Sequence, residues 1–145
     1  MTQNSDLCLH STCVALDGRA LVIRGAAGSG KSGLALQLMA YGAELVADDR
    51  VLLRPLDGRL MARAPQAISG MIEARGVGIL NARCARESPV HAILDLDRVE
   101  LERLPAQVFE TILGISVPVL GRAQAAHFAP ALIQYLKCGA IDPDA

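Results

Sequence analysis

Apolar residues fall in short runs along this chain, and each run is bounded by a turn signal instead of extending into one long periodic stretch. Residues 12–16 and 20–24 form two β-rich runs joined at Asp17-Gly18, a dipeptide that favours a two-residue hairpin. The second run leads directly into a glycine-rich octapeptide, GAAGSGKS, at positions 25–32. Beyond Lys31-Ser32 the apolar residues Leu34, Ala35, Leu38 and Met39 recur at helical spacing, and Gly42 supplies a C-terminal stop. Residues 44–47 are a short apolar-ended run that finishes at Asp48-Asp49. Two further β-rich runs, 51–54 and 59–63, flank the turn-rich Pro55-Leu56-Asp57-Gly58. Residues 68–81 are dense in glycine, 90–96 read as a core strand, and 124–137 predict an amphipathic helix. No repeat, low-complexity segment or linker interrupts this order, so a single domain over 1–145 is the expectation.

Composition changes the picture mainly by exclusion. At 145 residues and 52% hydrophobic content the chain can bury one core of ordinary domain size. Its 14 basic and 15 acidic residues are dispersed, so neither nucleic acid nor an anionic membrane has an electrostatic footprint to recognise. Two Phe, two Tyr and no Trp leave little for a base-stacking platform. No apolar run approaches the ~20 residues that span a bilayer, and the start, MTQNSDLCLH, lacks a leader pattern. A cytoplasmic location without nucleic-acid or membrane partners is therefore expected. Cys8, Cys13, Cys84 and Cys138 have neither redox nor zinc spacing and are expected to be small buried apolar residues.

The chemistry concentrates in Gly25, Ala26, Ala27, Gly28, Ser29, Gly30, Lys31 and Ser32, which match the full P-loop pattern between a predicted strand and a predicted helix. Glycines let consecutive N–H groups turn toward phosphate oxygens, and the helix N-terminus adds partial positive charge. Lys31 would reach the β- and γ-phosphates, and Ser32 would ligate Mg2+. This motif predicts an α/β P-loop nucleotide-binding domain with a central mixed sheet and flanking helices. Asp48-Asp49 stands where an acidic residue can reach the metal and the γ-phosphate. Neighbouring strand residues point to opposite faces, so the two carboxylates can hold different jobs. The residues alone leave two readings open: a metal-associated aspartate with a solvated neighbour, or a catalytic carboxylate.

The order of His10, the P-loop at 25–32, Val46-Ala47-Asp48-Asp49, the EARGVG segment at 73–78, Glu102-Arg103-Leu104, Ile112-Leu113-Gly114 and Gly121-Arg122 resembles the catalytic domain of HPr kinase/phosphorylase over nearly the whole chain. The VADD and EARGVGI stretches in that order carry most of the specificity. The resemblance implies an ATP- and Mg2+-dependent enzyme that phosphorylates a serine on an HPr-like phosphocarrier protein, with phosphate-dependent dephosphorylation as the companion reaction. It also implies a homo-oligomer. Position by position, Asp49 would be the general base for the serine hydroxyl and Lys31 the phosphate-facing cation, with His10 and Arg103 as further catalytic residues. Ser32, Asp48 and Glu73 would serve the metal, and Arg75 a phosphate or structural contact.

Three features depart from the family. The residue after the P-loop serine is usually acidic and here is Gly33, and the Pro-Gly-Arg-Asn-like stretch reads Leu120-Gly121-Arg122-Ala123. Family members generally carry a separate domain ahead of the catalytic one, whereas nine residues precede His10 here, so a short form comprising the catalytic domain is expected. Rival readings are a small-molecule P-loop kinase and a nucleotide-binding sensor without transfer activity. They are separated by whether a carrier protein, a metabolite or nothing accepts the phosphate.

Overall fold

Strands β2 (Ser11–Leu16) and β3 (Arg19–Arg24) are buried along almost their whole length, because both faces of the sheet they belong to are covered. The structure, a computed structural model, describes residues 6–144. Residues 1–5, on which part of the leader reading rests, and residue 145 lie outside the described residues.

The remaining elements in chain order are β1 (Leu7–Leu9), α1 (Lys31–Ala40), β4 (Glu44–Ala47), β5 (Val51–Leu56), β6 (Arg59–Arg63), β7 (Met71–Ala74), β8 (Gly78–Asn81), β9 (Ser88–Glu100), β10 (Phe109–Ile112), β11 (Ile115–Ala123) and α2 (Phe128–Cys138). One mixed sheet runs β1-β5-β6-β9-β3-β2-β4, with β11 also paired to β9 and β10 to β11; β7 and β8 form a separate hairpin. The parallel pairs are β3–β9 and β9–β11. The expected α/β fold with a mixed sheet is therefore present.

Alternation along the strands divides the core in two. Val14, Leu21, Ile23, Leu45, Ala92 and Leu94 face α1 and α2, where Ala35, Leu38, Leu132, Ile133 and Leu136 meet them. Cys13, Ala15, Val22, Val46 and Ile93 face the other way, onto Leu53 and Leu60 of β5–β6 and Val117 and Val119 of β11. The helices cover one side and the outer strands cover the other.

Most predicted elements lie within a residue or two of their observed places, and the differences have physical causes. Strand β9 extends well beyond 90–96 because successive parts of it find different partners: β6 at Ser88 and Pro89, β3 from Val90 to Asp95, and β11 from Ile93 to Glu100. Helix α2 begins at Phe128 instead of 124. A start at 124 would put Pro130 in the interior, without an N–H for the helical ladder, whereas a start at 128 keeps it in the first turn. Helix α1 closes as expected at Gly42 (φ 109°), where Gly42 and Ala43 donate to Met39 and Leu38 carbonyls in a Schellman motif. Of the cysteines only Cys13 is buried; Cys8, Cys84 and Cys138 are exposed thiols. The expectation of burial fails for those three.

The sheet end that carries the site depends on one close approach. The β9–β11 register shifts between Gly121 and Arg122, and a Cβ at Gly121 would lie 2.8 Å from the backbone oxygen of Arg98. Gly121→Ala is thus expected to destabilise the fold by about 1–3 kcal/mol, as overpacking against a backbone does. Urea denaturation checks this, and an unchanged midpoint would show that the two strands yield freely at the bulge.

Candidate active site

The topology brings five chain segments to one end of the sheet. Strand β3 ends at Arg24, which is in register with Ser11 of β2 on one side and Asp95 of β9 on the other. Residues 25–30 leave that end and return as α1, so the P-loop stands beside the start of β2, the end of β4 and the ends of β9 and β11. Gly28 (φ 81°) and Gly30 (φ 101°) occupy left-handed conformations, which glycine adopts without a Cβ penalty. The first helical bond is Leu34 N–H to Gly30 O. The N–H groups of Lys31, Ser32 and Gly33 precede it, which leaves the donors of an anion cradle at the helix N-terminus.

Asp48 is the hub. It is 9% exposed, and its Oδ1 accepts from Ser32 Oγ at 2.6 Å and Thr12 Oγ1 at 3.0 Å, while its Oδ2 accepts from the Glu73 backbone N–H at 3.1 Å. One carboxylate thereby ties the P-loop helix, β2 and β7. Asp49 is the opposite case: it is exposed and left-handed at φ 70°. Such a conformation in a non-glycine residue carries strain and is concentrated at functional positions. The two neighbours are thus divided into one bonded inward and one presented outward.

Lys31 Nζ donates to the carbonyls of Gly25 at 2.9 Å and Ala26 at 3.1 Å, so the ammonium is folded back on its own loop. The loop is held from outside as well. The Asp97 carboxylate accepts from the Ala26 N–H at 2.9 and 3.2 Å, and the Arg122 guanidinium donates to Ser29 O. Ser29 Oγ is buried without a hydrogen-bond partner among the described residues and lies against Gly25, where a Cβ would come within 2.6 Å of it. Glycine at 25 is what permits that closure.

The other expected residues are less tightly gathered. His10 is exposed at the bend between β1 and β2, two residues before Thr12 and at the P-loop end of the sheet. The Glu73 side chain is exposed on β7, with Arg75 at the following turn; only the Glu73 backbone is bonded to Asp48. Arg103 follows β9 and lines a different cavity of about 360 Å³ with Glu100, Tyr135 and Ile141; no hydrogen bond joins it to the P-loop among the described residues. Thr12 and Asp97 are contacts that sequence reasoning missed. Nothing local marks either: a threonine in an apolar strand and an aspartate at a strand end have many ordinary uses.

The chain as a whole matches a known family. The family described as the HPr Serine kinase C-terminal domain matches residues 3–120. This chain belongs to that family. Similar HPr kinase C-terminal sequences include the HPr kinase/phosphorylase of Clostridium beijerinckii, 32% identical over 128 residues, covering 77% of this chain and 41% of that protein. That of Caldicellulosiruptor bescii is 37% identical over 124 residues, covering 77% and 40%. The chain thus spans about two fifths of the length of these relatives. The solved structure of the Hpr(Ser) kinase/phosphatase from Coxiella burnetii superposes with a TM-score of 0.77 at 29% identity, covering 90% of this chain and 93% of that one.

One ion pair beside the P-loop has a testable pH signature. Arg24, the last residue before the P-loop, donates both terminal nitrogens to Glu110 at 2.9 Å and one of them to Asp95 at 3.2 Å. The hydrogen bond from Arg24 holds the Glu110 carboxyl below its ordinary value of 4.5. A depressed folded pKa means stability that is present above the unfolded value and is lost as pH falls through the folded one. Glu110→Gln should lower stability at pH 7 by about 0.2–1 kcal/mol, given that the pair is partly exposed, and the deficit should close below about pH 4. Denaturation midpoints of both proteins between pH 3 and 7 measure it, and a deficit that persists at low pH would exclude the charge as its cause.

Proposed function

We propose that this domain, acting as one unit over residues 1–145, transfers the γ-phosphoryl group of ATP to a serine hydroxyl of an HPr-like phosphocarrier protein. The observation that carries the reading is the division between Asp48, bonded inward to the P-loop serine, and Asp49, presented outward in a strained backbone conformation beside it. The family membership and the whole-length likeness to the Coxiella enzyme support it.

The residues present fit a nucleotide with Mg2+. The cradle offers free helix N-terminal N–H groups, and Ser32 Oγ with Asp48 Oδ1 at 2.6 Å pairs the hydroxyl and carboxylate that a P-loop metal site uses. Among the described residues no cluster of three or more His, Cys, Asp or Glu is arranged for a metal. None is required here, since Mg2+ keeps water and phosphate oxygens as ligands and takes few from protein. Ser32 and Asp48 would hold the ion, with Glu73 across the hub, and it would supply charge neutralisation on the phosphate oxygens.

In the reaction, Lys31 exchanges its carbonyl partners for phosphate oxygens and stabilises charge there. Asp49 accepts the serine proton as the serine oxygen bonds to the γ-phosphorus and the bond to the leaving ADP oxygen breaks. In the companion reaction, phosphate-dependent removal of the serine phosphate, an oxygen of inorganic phosphate bonds to the phosphorus as the serine O–P bond breaks, pyrophosphate leaves, and the same carboxyl in its protonated form gives a proton to the serine oxygen. His10 and Arg103 are proposed to approach the acceptor. The hairpin β7–β8, bonded to Asp48 through Glu73, exposes Val77 (75%) and Ile79 (73%). Apolar side chains displayed at the site suit a protein acceptor better than a small metabolite.

The assay is phosphorylation of the host's HPr-like protein with labelled ATP and location of the phosphoresidue. Asp49→Asn should reduce transfer by about 10²–10⁴ while MgATP binding persists, because only the proton acceptor is lost. Asp48→Asn should instead weaken Mg2+ dependence or nucleotide affinity, and Lys31→Ala should abolish transfer with the fold retained. Full activity in Asp49→Asn would mean that the base lies elsewhere.

Self-association belongs to the same reading. Leu101 (85% exposed), Leu104 (66%) and Phe109 (55%) display apolar surface along β10 and the segment before it. Light scattering should report an oligomer at micromolar concentration, and a monomer throughout would remove this part. No described helix is long and apolar enough to cross a membrane, which is consistent with the proposed cytoplasmic location.

A further inference from the structure

The peptide between Gly25 and Ala26 is gripped at both ends. Its carbonyl accepts from Lys31 Nζ at 2.9 Å, and its N–H donates to both oxygens of the Asp97 carboxylate, at 2.9 and 3.2 Å. The C=O and N–H of a trans peptide point in opposite directions, so the ammonium and the carboxylate lie against opposite edges of one peptide plane. A carboxylate on the N–H side pushes electron density onto the carbonyl oxygen, because hydrogen bonds in series polarise one another. The Gly25 oxygen is thereby a stronger acceptor for the ammonium. The other Lys31 partner, Ala26 O at 3.1 Å, belongs to the residue whose N–H Asp97 holds.

We propose that Asp97 is a positioning residue for phosphoryl transfer, acting on Lys31 through the Gly25–Ala26 peptide. The proposal rests on the P-loop reading above, in which Lys31 carries the charge that meets the phosphates. A lysine ammonium rides on a flexible stem, so its place in the loop is set by the carbonyls on which it rests. The tilt of the 25–26 peptide aims those carbonyls, and Asp97 fixes that tilt from outside the loop. Without the carboxylate the peptide is free to rotate, and the ammonium loses its fixed approach to the phosphate oxygens.

Asp97 is itself held in place. Its backbone N–H donates to Asp95 Oδ1 at 3.0 Å, and the other Asp95 oxygen accepts from Arg24 at 3.2 Å. Between them Leu96 is buried, and a Cβ at Gly25 would lie 3.2 Å from the Leu96 Cβ, so the end of β9 is packed against the first residue of the loop. From there the short aspartate stem reaches the Ala26 N–H. The Asp97 side chain is nevertheless exposed, and substitutions at exposed positions ordinarily leave stability almost unchanged. A role in the site is therefore separable from a role in the fold.

The test uses Asp97→Ala and Asp97→Asn in the full chain, and Asp97→Ala combined with Lys31→Ala. Phosphorylation of the HPr-like protein with labelled ATP gives kcat and KM, and calorimetry gives the affinity for MgATP. Asp97→Ala should lower kcat by about tenfold to a hundredfold, the scale of a ~1 Å misplacement, with KM for the carrier within about twofold of the parent value. Asp97→Asn keeps an acceptor for the Ala26 N–H and should recover part of that loss. MgATP affinity should fall by about threefold to tenfold in Asp97→Ala, as couplings within one hydrogen-bonded network do, but by less than about twofold when Lys31 is already alanine. The urea midpoint of Asp97→Ala should stay at the parent value. Full kcat in Asp97→Ala, equal weakening of MgATP binding with and without Lys31, or a urea midpoint that falls in step with kcat overturns the proposal and leaves the P-loop reading standing. A parent that binds MgATP but phosphorylates no carrier overturns the transfer reading, and the affinity comparison then decides the Asp97 proposal. Failure of the parent to bind MgATP overturns both.

Discussion

A buried carboxylate must be surrounded by donors, because an unpaired one costs several kcal/mol in a protein interior, and that requirement at Asp48 organises the whole site. Its partners come from β2, α1 and β7, elements distant in sequence, and each brings a different part of the chemistry. Thr12 anchors the sheet, Ser32 sets the helix N-terminus, and the Glu73 backbone draws in the β7–β8 hairpin. Because Asp48 is fixed inward by these bonds, the next residue is turned out. The strained backbone at Asp49 follows from that sharp change of direction.

The sheet explains why so many polar groups meet at one end. Strands β3, β9 and β11 are parallel, so their C-terminal ends lie together, and β2 begins at the same end because it pairs antiparallel with β3. Open α/β sheets bind ligands outside the carboxyl ends of their strands. Here the middle of each strand is buried on both faces, and charge is displaced to the ends: Arg24 with Asp95 and Glu110, Asp97 on the Ala26 N–H, and Arg122 on Ser29 O. The P-loop is consequently held by strand ends on both sides before any phosphate reaches it. Lys31 is folded onto the Gly25 and Ala26 carbonyls, the internal partners that phosphate oxygens would replace in the proposed reaction.

The sequence by itself determined what local stereochemistry controls. The P-loop, its helix and the Gly42 stop were legible because each depends on residues a few positions apart. So were the hairpins at Asp17-Gly18 and Asp57-Gly58, where left-handed conformations suit the two-residue turn. The turn at Leu113-Gly114 has the same backbone signs, φ 50° and 80°, and was not legible, because leucine gives no such signal and only strand pairing forces it there. The pairing of Asp48 with Ser32 was anticipated only as a choice between two adjacent carboxylates. Which one turned inward depended on Thr12, 36 residues away. The contacts of Asp97 and Arg122 with the loop span 71 and 93 residues, and the length of β9 reflects three partner strands in succession. Those features were decided by tertiary structure alone, since a polar group's role is set by the partner that satisfies it, and here the partners lie on strands that meet only when the sheet has closed.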